Sequence, residues 1–142
     1  MALPFAYGEF DIVGCYRVLH HLRRPERAVS ELARVTRLGG KVFIADQLGS
    51  TDPLVNLEQD RFERLRDDTH QRLLPEADIR GFLDANDLVL ISSEVTREKV
   101  DLEERLELAG FAEEERIRIR GPAPASPYEV EVGWYVARKP GV

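Results

Sequence analysis

The order of hydrophobic and polar residues divides the chain into strand and helix segments. A short apolar run from Ile12 to Cys15 is entered through Phe10-Asp11 and gives way abruptly to polar residues. Its length and its valine and isoleucine content are typical of a strand buried on both faces, as in a parallel sheet. A second apolar run, from Lys41 to Asp46, predicts the next strand.

The segment between these two runs has the pattern of an amphipathic helix. Pro25 suits its first turn, because a proline lacks the N–H that has no partner there. Apolar residues then recur at helical spacing, and we expect Gly39-Gly40 to end the helix, with Gly39 in the left-handed position after the last turn. Strand, helix and strand over this length predict a right-handed βαβ unit with parallel strands.

Four further helical segments and two further strands are indicated after this unit. The helices are expected at about 53–66, 75–86, 102–109 and 111–119, and the strands at 88–95 and 128–137. Asp52 is predicted to cap the first of these helices and Gly110 to close the third. In the first helix, the acidic residues Glu58, Asp60 and Glu63 are expected to face water.

The last strand differs from the others, because one series of residues alternates strictly with another: Tyr128, Val130, Val132, Trp134 and Val136 against Glu129, Glu131, Gly133, Tyr135 and Ala137. This two-residue period predicts a strand with two different faces and an antiparallel partner. The expected fold class is therefore α/β. It is a partial Rossmann-like sheet of parallel strands plus an antiparallel C-terminal strand, with helices on both faces.

Several motifs stand in an order that resembles a known family. They are Leu3-Pro4-Phe5, Phe10-Asp11-Ile12-Val13, His20-His21-Leu22 and Arg37-Leu38-Gly39-Gly40. Together they are similar to the class I S-adenosylmethionine-dependent methyltransferases, in the small-molecule branch that includes the ubiquinone and menaquinone methylases. The resemblance runs from the family's fourth strand onward. It implies that residues 1–142 form a single, truncated domain without the family's first three strands and glycine-rich loop.

The resemblance implies S-adenosylmethionine-dependent methyl transfer to a small-molecule acceptor. The alternative is a non-catalytic module that keeps the fold for assembly or small-molecule binding. Cys15 and Tyr16 match the family's cofactor-contacting positions after the fourth strand. Since the glycine-rich loop holds most of the cofactor in the family, we expect no measurable binding of S-adenosylmethionine by this chain alone. Because Met1 to Phe5 resembles the family's interior, we expect an internal methionine taken as the start, or a fragment.

Polar residues near the expected ligand edge of the sheet are candidates to face the substrate: His20, His21, Asp46, Arg66, His70 and Arg72. The histidine pair either contacts substrate or stabilises the turn into the next helix. Asp46 either orients substrate or caps the turn that follows it. His70 between its two arginines meets an anionic or hydroxylated substrate, or else the segment is a solvated helix end paired with Asp67 and Asp68.

Composition excludes several other classes of function. The net charge of -6 disfavours a nucleic-acid partner or an anionic membrane surface. Only three histidines and one cysteine are present, which disfavours a metal site. The single cysteine, Cys15, is expected to be a small buried hydrophobe. Because one cysteine cannot form a disulfide within the chain, we expect a reducing, cytoplasmic location.

The family's strand order has a consequence for the strand Ile12 to Cys15. In the family's sheet, the family's first strand lies beside its fourth strand, which corresponds to Ile12 to Cys15. A chain that lacks the family's first strand therefore leaves Ile12 to Cys15 at an edge of the sheet. An unpaired apolar edge is a surface that natural sheets avoid. We therefore expect it to pair with a second copy across a two-fold axis, as a homodimer, or to aggregate.

Overall fold

A computed structural model describes residues 2–141 and shows a four-stranded mixed sheet. Its strands are β1 (Phe10–Tyr16), β2 (Thr36–Gln47), β3 (Val89–Val100) and β4 (Tyr128–Arg138), in the spatial order β1-β2-β4-β3. Strands β1 and β2 are parallel, and β4 lies antiparallel between β2 and β3. The expected α/β class and the antiparallel C-terminal strand are thus confirmed.

Five α-helices connect the strands in the described part of the chain. They are α1 (Pro25–Val35), α2 (Pro53–Arg66), α3 (Glu76–Ala85), α4 (Leu102–Ala109) and α5 (Glu113–Arg120). Two predicted helix-capping residues, Asp52 and Gly110, are confirmed. The Asp52 side chain accepts a hydrogen bond from the backbone N–H of Leu54, and Gly110 takes a left-handed conformation with φ of 73°. No helix between residues 2 and 141 is long and apolar enough to cross a membrane.

The end of α1 differs from the prediction. The helix stops at Val35, and the next residue, Thr36, already belongs to β2 and pairs with Phe10. Gly39 has φ of 82°, but it lies inside β2, where the register with β1 is irregular. A Cβ on Gly40 would lie 2.7 Å from the carbonyl oxygen of Asp11. The glycine pair therefore permits a close, bulged approach of two strands, and does not cap a helix.

The prediction that the first strand is buried on both faces is wrong. β1 lies at the edge of the sheet and pairs only with β2 among the described elements. Cys15 packs against the core, whereas Ile12 points the other way and is 70% exposed. The cause is topological, since an edge strand has one neighbour and a helix covers only one of its faces.

Two hydrophobic clusters occupy opposite faces of the sheet. Tyr135 of β4 packs with Val29 of α1 and Ile79 of α3 in the first cluster. Tyr128 of the same strand packs with Leu106 of α4 in the second, together with Phe62 of α2 and Ile119 of α5. Because successive residues of a strand point to opposite faces, positions seven apart lie on different sides. Helices therefore cover both faces, as the sequence predicts.

Candidate functional site

The site lies where the two parallel strands end. After β1, Arg17 adopts a left-handed conformation with φ of 55°, and its N–H donates to the carbonyl of Ala45 at 2.8 Å. The chain then enters a short 3-10 turn, Leu19–His21. This path carries the histidines to the carboxyl edge of β2, the edge at which open α/β sheets bind ligands.

His20 is held there by the buried carboxylate of Asp46. Its Nδ1 lies 2.5 Å from Asp46 Oδ1, and its backbone N–H donates to Oδ2 at 3.1 Å. The backbone N–H of Gln47 also donates to Oδ1, and Asp46 is only 1% exposed. An ionised carboxylate can only accept, so Nδ1 donates to Asp46, and in the neutral form of the ring the lone pair is then on Nε2. Asp46 therefore orients the imidazole.

A second histidine–carboxylate pair fixes the covering segment, residues 67–73, which follows α2 and lies over the site. His70 Nε2 lies 2.8 Å from Asp60 Oδ1, which also accepts from the backbone N–H of Leu73. Both partners of the pair are buried, with 3% and 5% of their surfaces exposed. The N–H groups of Gln71 and Arg72 donate to the carbonyl of His20. The covering segment is thereby fixed to α2 on one side and to the histidine turn on the other.

This arrangement corrects the expected orientation of α2. Asp60 and Glu63 were expected to face water, but both are buried, at 5% exposure each. The cause is the segment after the helix, which folds back over that face and places His70 against Asp60. Periodicity within α2 gives no signal for this contact.

The three histidines enclose a cavity of about 190 Å³. The ring of His20 lies 4.0 Å from that of His21 and 5.7 Å from that of His70, measured between centroids. Arg66 and Arg105 also line the cavity. The sequence therefore identified four of its lining residues, namely the histidines and Arg66, and missed Arg105, which comes from a distant helix.

The remaining candidates lie in different surroundings. Arg72 does not line the cavity; it is half-exposed and lies 3.7 Å from the carboxylate of Asp78. Asp67 accepts hydrogen bonds from the side chain and backbone of Thr69 and lies 3.8 Å from Nδ1 of His21. Partial burial alone would raise the pKa of Asp67, but the bonds from Thr69 and the charges of His21 and Arg66 outweigh it and lower the pKa. With His70 buried, the segment is not a solvated helix end.

Cys15 and Tyr16 lie beside the cavity at the end of β1. Burial and the nearby charge of Asp46 raise the pKa of the Cys15 thiol to about 12, so the thiol is neutral at physiological pH. Tyr16 is 52% exposed, its hydroxyl accepts from Nε of Arg17, and its ring lies 5.8 Å from that of Trp134. The strand end thus offers an exposed aromatic surface. No group of three or more His, Cys, Asp or Glu side chains within residues 2–141 is placed to hold a metal ion.

The sheet, with an antiparallel strand inserted beside parallel ones, has the fold of the Rossmann-like methyltransferases. Residues 1–44 match the family described as a methyltransferase domain. These findings confirm the resemblance to the class I S-adenosylmethionine-dependent methyltransferases.

Individual relatives agree with this class. The uncharacterized methyltransferase YcgJ of Bacillus subtilis is 32% identical over 87 residues, which is 61% of this chain and 34% of YcgJ. The solved structure of BH2331 from Bacillus halodurans has a TM-score of 0.88 at 22% identity, covering 98% of this chain and 74% of that one. Phosphoethanolamine N-methyltransferase 2 of Haemonchus contortus, solved in complex with S-adenosyl-L-methionine, has a TM-score of 0.58 at 17% identity, covering 96% and 35% of the two chains. The chain thus spans about a third of the length of its curated relative.

Proposed function

We propose that this chain supplies the acceptor-binding side of an S-adenosylmethionine-dependent methyltransferase that acts on a small molecule. The observation that carries the proposal is His20, held by a buried Asp46, in a cavity at the carboxyl ends of the two parallel strands. The cavity of about 190 Å³ is smaller than the pockets of about 300–1,000 Å³ that hold whole small-molecule ligands, so it would take one group of the acceptor.

His20 is the proposed general base. An acceptor hydroxyl or protonated amine must lose a proton as it takes a methyl group, and a positioned imidazole accelerates such transfers by about 10²- to 10⁴-fold. Nε2 of His20 would take the proton of the acceptor's O–H or N–H bond while the acceptor forms its bond to the methyl carbon and the carbon–sulfur bond of the sulfonium breaks, which leaves a neutral thioether. Asp46 then stabilises the imidazolium through the Nδ1 hydrogen bond.

The described residues fit one side of the cofactor. S-adenosylmethionine, when bound, supplies a methyl group on a sulfonium. Tyr16 offers an exposed ring for a flat base, and Cys15 lies next to it at the strand end. Gly39-Gly40 does not add a nucleoside-binding loop, because it lies within β2. We therefore propose that residues 2–141 contact the cofactor without holding it, and that the isolated chain binds it too weakly to measure.

The edge strand supports a proposal for a partner. β1 leaves one side unpaired among the described elements, and Ile12 on it is largely exposed. We propose that the chain by itself pairs this edge with a second copy. The alternative function, a non-catalytic module for assembly or small-molecule binding, rests on the same surface.

Reading the genomic DNA upstream of Met1 separates the two functions. An in-frame segment encoding a strand and a glycine-rich loop supports the enzyme, whereas a nearby stop codon supports the module. The extended polypeptide is then assayed for transfer of tritiated methyl from S-adenosylmethionine to a panel of phenols, quinols and amines. We expect His20→Asn to lower kcat by at least about 10²-fold. The control is His21→Asn on the adjacent ring, and equal loss in both variants contradicts the role of His20.

A further inference from the structure

One wall of the His20 cavity carries donors that the surrounding chain leaves without acceptors. Arg66 pairs with Glu63 through Nη2, but its Nε is shielded from solvent and has no hydrogen-bond partner within residues 2–141. Arg105 reaches the same cavity from α4. It is not among the arginines that form an ion pair in the described part of the chain.

Tyr128 lies close behind this wall. It is 9% exposed, and the guanidinium of Arg105 lies within hydrogen-bonding reach of its hydroxyl. Burial raises the pKa of Tyr128, the carboxylate of Glu63 adds to the increase, and the guanidinium groups of Arg66 and Arg105 oppose it. The hydroxyl is therefore within reach of the charges of all three groups.

The carboxylates that line the cavity do not offset these donors. Glu63 is already bonded by Nη2 of Arg66, and Asp67 is bonded by Thr69 and faces His21. The two Asp residues beneath the cavity, Asp46 and Asp60, are each bonded to a histidine. Within residues 2–141, the guanidinium of Arg105 therefore forms no ion pair with any of these carboxylates and keeps donor capacity for a ligand.

We propose that this wall is an oxyanion subsite, in which the guanidinium groups of Arg66 and Arg105 donate to a carboxylate or phosphate of the acceptor. That the anionic group belongs to the methyl acceptor rests on the proposed function. That an anion binds at this wall is independent of the proposed function. The subsite lies in the same small cavity as His20, so it places the anionic group next to the reacting one.

The protein contains three histidines, and all of them line this cavity, so their ring protons report on it alone. Inorganic phosphate and acetate are titrated in separate series at constant pH and ionic strength, with chloride as the balancing anion. We expect saturable shifts of the imidazole Hε1 signals in proton NMR. A phosphate response with none from acetate assigns a phosphate carrier, and the reverse assigns a carboxylate.

Variants locate the effect. Arg105→Gln is expected to weaken the anion's affinity about fivefold or more, while Arg105→Lys retains most of it, because both depend on the charge-assisted bond. Arg118→Gln, an exposed arginine of α5, is the matched control and leaves the affinity unchanged. Absence of saturable shifts with both anions, or equal affinity in Arg105→Gln, overturns the proposal. Anion binding without any methyl transfer leaves this subsite standing and rejects only the proposed function.

Discussion

The Nδ1 atom of His20 and the Oδ1 atom of Asp46 lie 2.5 Å apart, although 26 positions separate the two residues in the sequence. The carboxylate is almost fully buried at the end of β2 and also accepts two backbone N–H groups. The pair is therefore both the support of the candidate base and a structural link between β1 and β2.

Asp46→Asn tests the structural role. The amide nitrogen cannot accept, so at least one of the three donors around this position loses its partner in a buried site. We expect the free energy of unfolding to fall by about 2–4 kcal/mol, measured by urea denaturation. Asp68→Asn, at an exposed position, is the control and changes stability by less than about 0.5 kcal/mol. A loss of similar size in both variants contradicts the structural role of Asp46.

Cys15 provides a pH-dependent prediction. Its native pKa of about 12 exceeds the ordinary value of 9.0, so the folded state keeps a proton that the unfolded state releases between these pH values. This contribution therefore makes stability fall as pH rises from about 9 towards 12. Thiolate absorbance at 240 nm should stay absent in the folded protein at pH 10 and appear on adding urea. Full thiolate absorbance in the folded protein at pH 10 contradicts the buried environment.

Two glycines form a matched pair for stability. A Cβ added at Gly81 of α3 or at Gly110 meets no atom within 4 Å, so only backbone conformation separates them. Gly81 lies inside a helix, and Gly81→Ala should stabilise by about 0.5–1 kcal/mol. Gly110 has φ of 73°, and Gly110→Ala should destabilise by about 1 kcal/mol. Thermal unfolding compares the two, and changes of the same sign contradict the assigned conformations.

The unpaired edge of β1 predicts self-association of the isolated chain. Light scattering should give a dimer, and Ile12→Lys should shift it towards monomer, because a charge on an edge strand opposes pairing. Leu108→Lys, at a residue of α4 that is 81% exposed, should leave the association unchanged. A stable dilute monomer with slowly exchanging amides along Ile12 to Cys15 contradicts the proposed pairing.

Local sequence patterns predicted most of the helices and strands and placed the candidate site at the end of β1. Apolar runs marked β1 and β2, proline or glycine marked several helix ends, and the two-residue period marked β4 as the antiparallel strand. The motifs around His20 indicated the family, and Asp46 was recognised at a strand end. These are local signals, since each depends on residues within one turn or one strand.

Only the tertiary structure decided how separate elements meet. Asp60 lies on a polar stretch of α2 that predicts exposure, yet the segment carrying His70 covers it, and Arg105 reaches the cavity from α4. Gly39 does adopt the left-handed conformation that its sequence context predicts, but it does so in a bulge where β1 and β2 converge. Periodicity describes which face of one element is apolar. It does not report which other part of the chain covers the polar face, so the buried histidine–carboxylate hydrogen bonds are seen only in the folded structure.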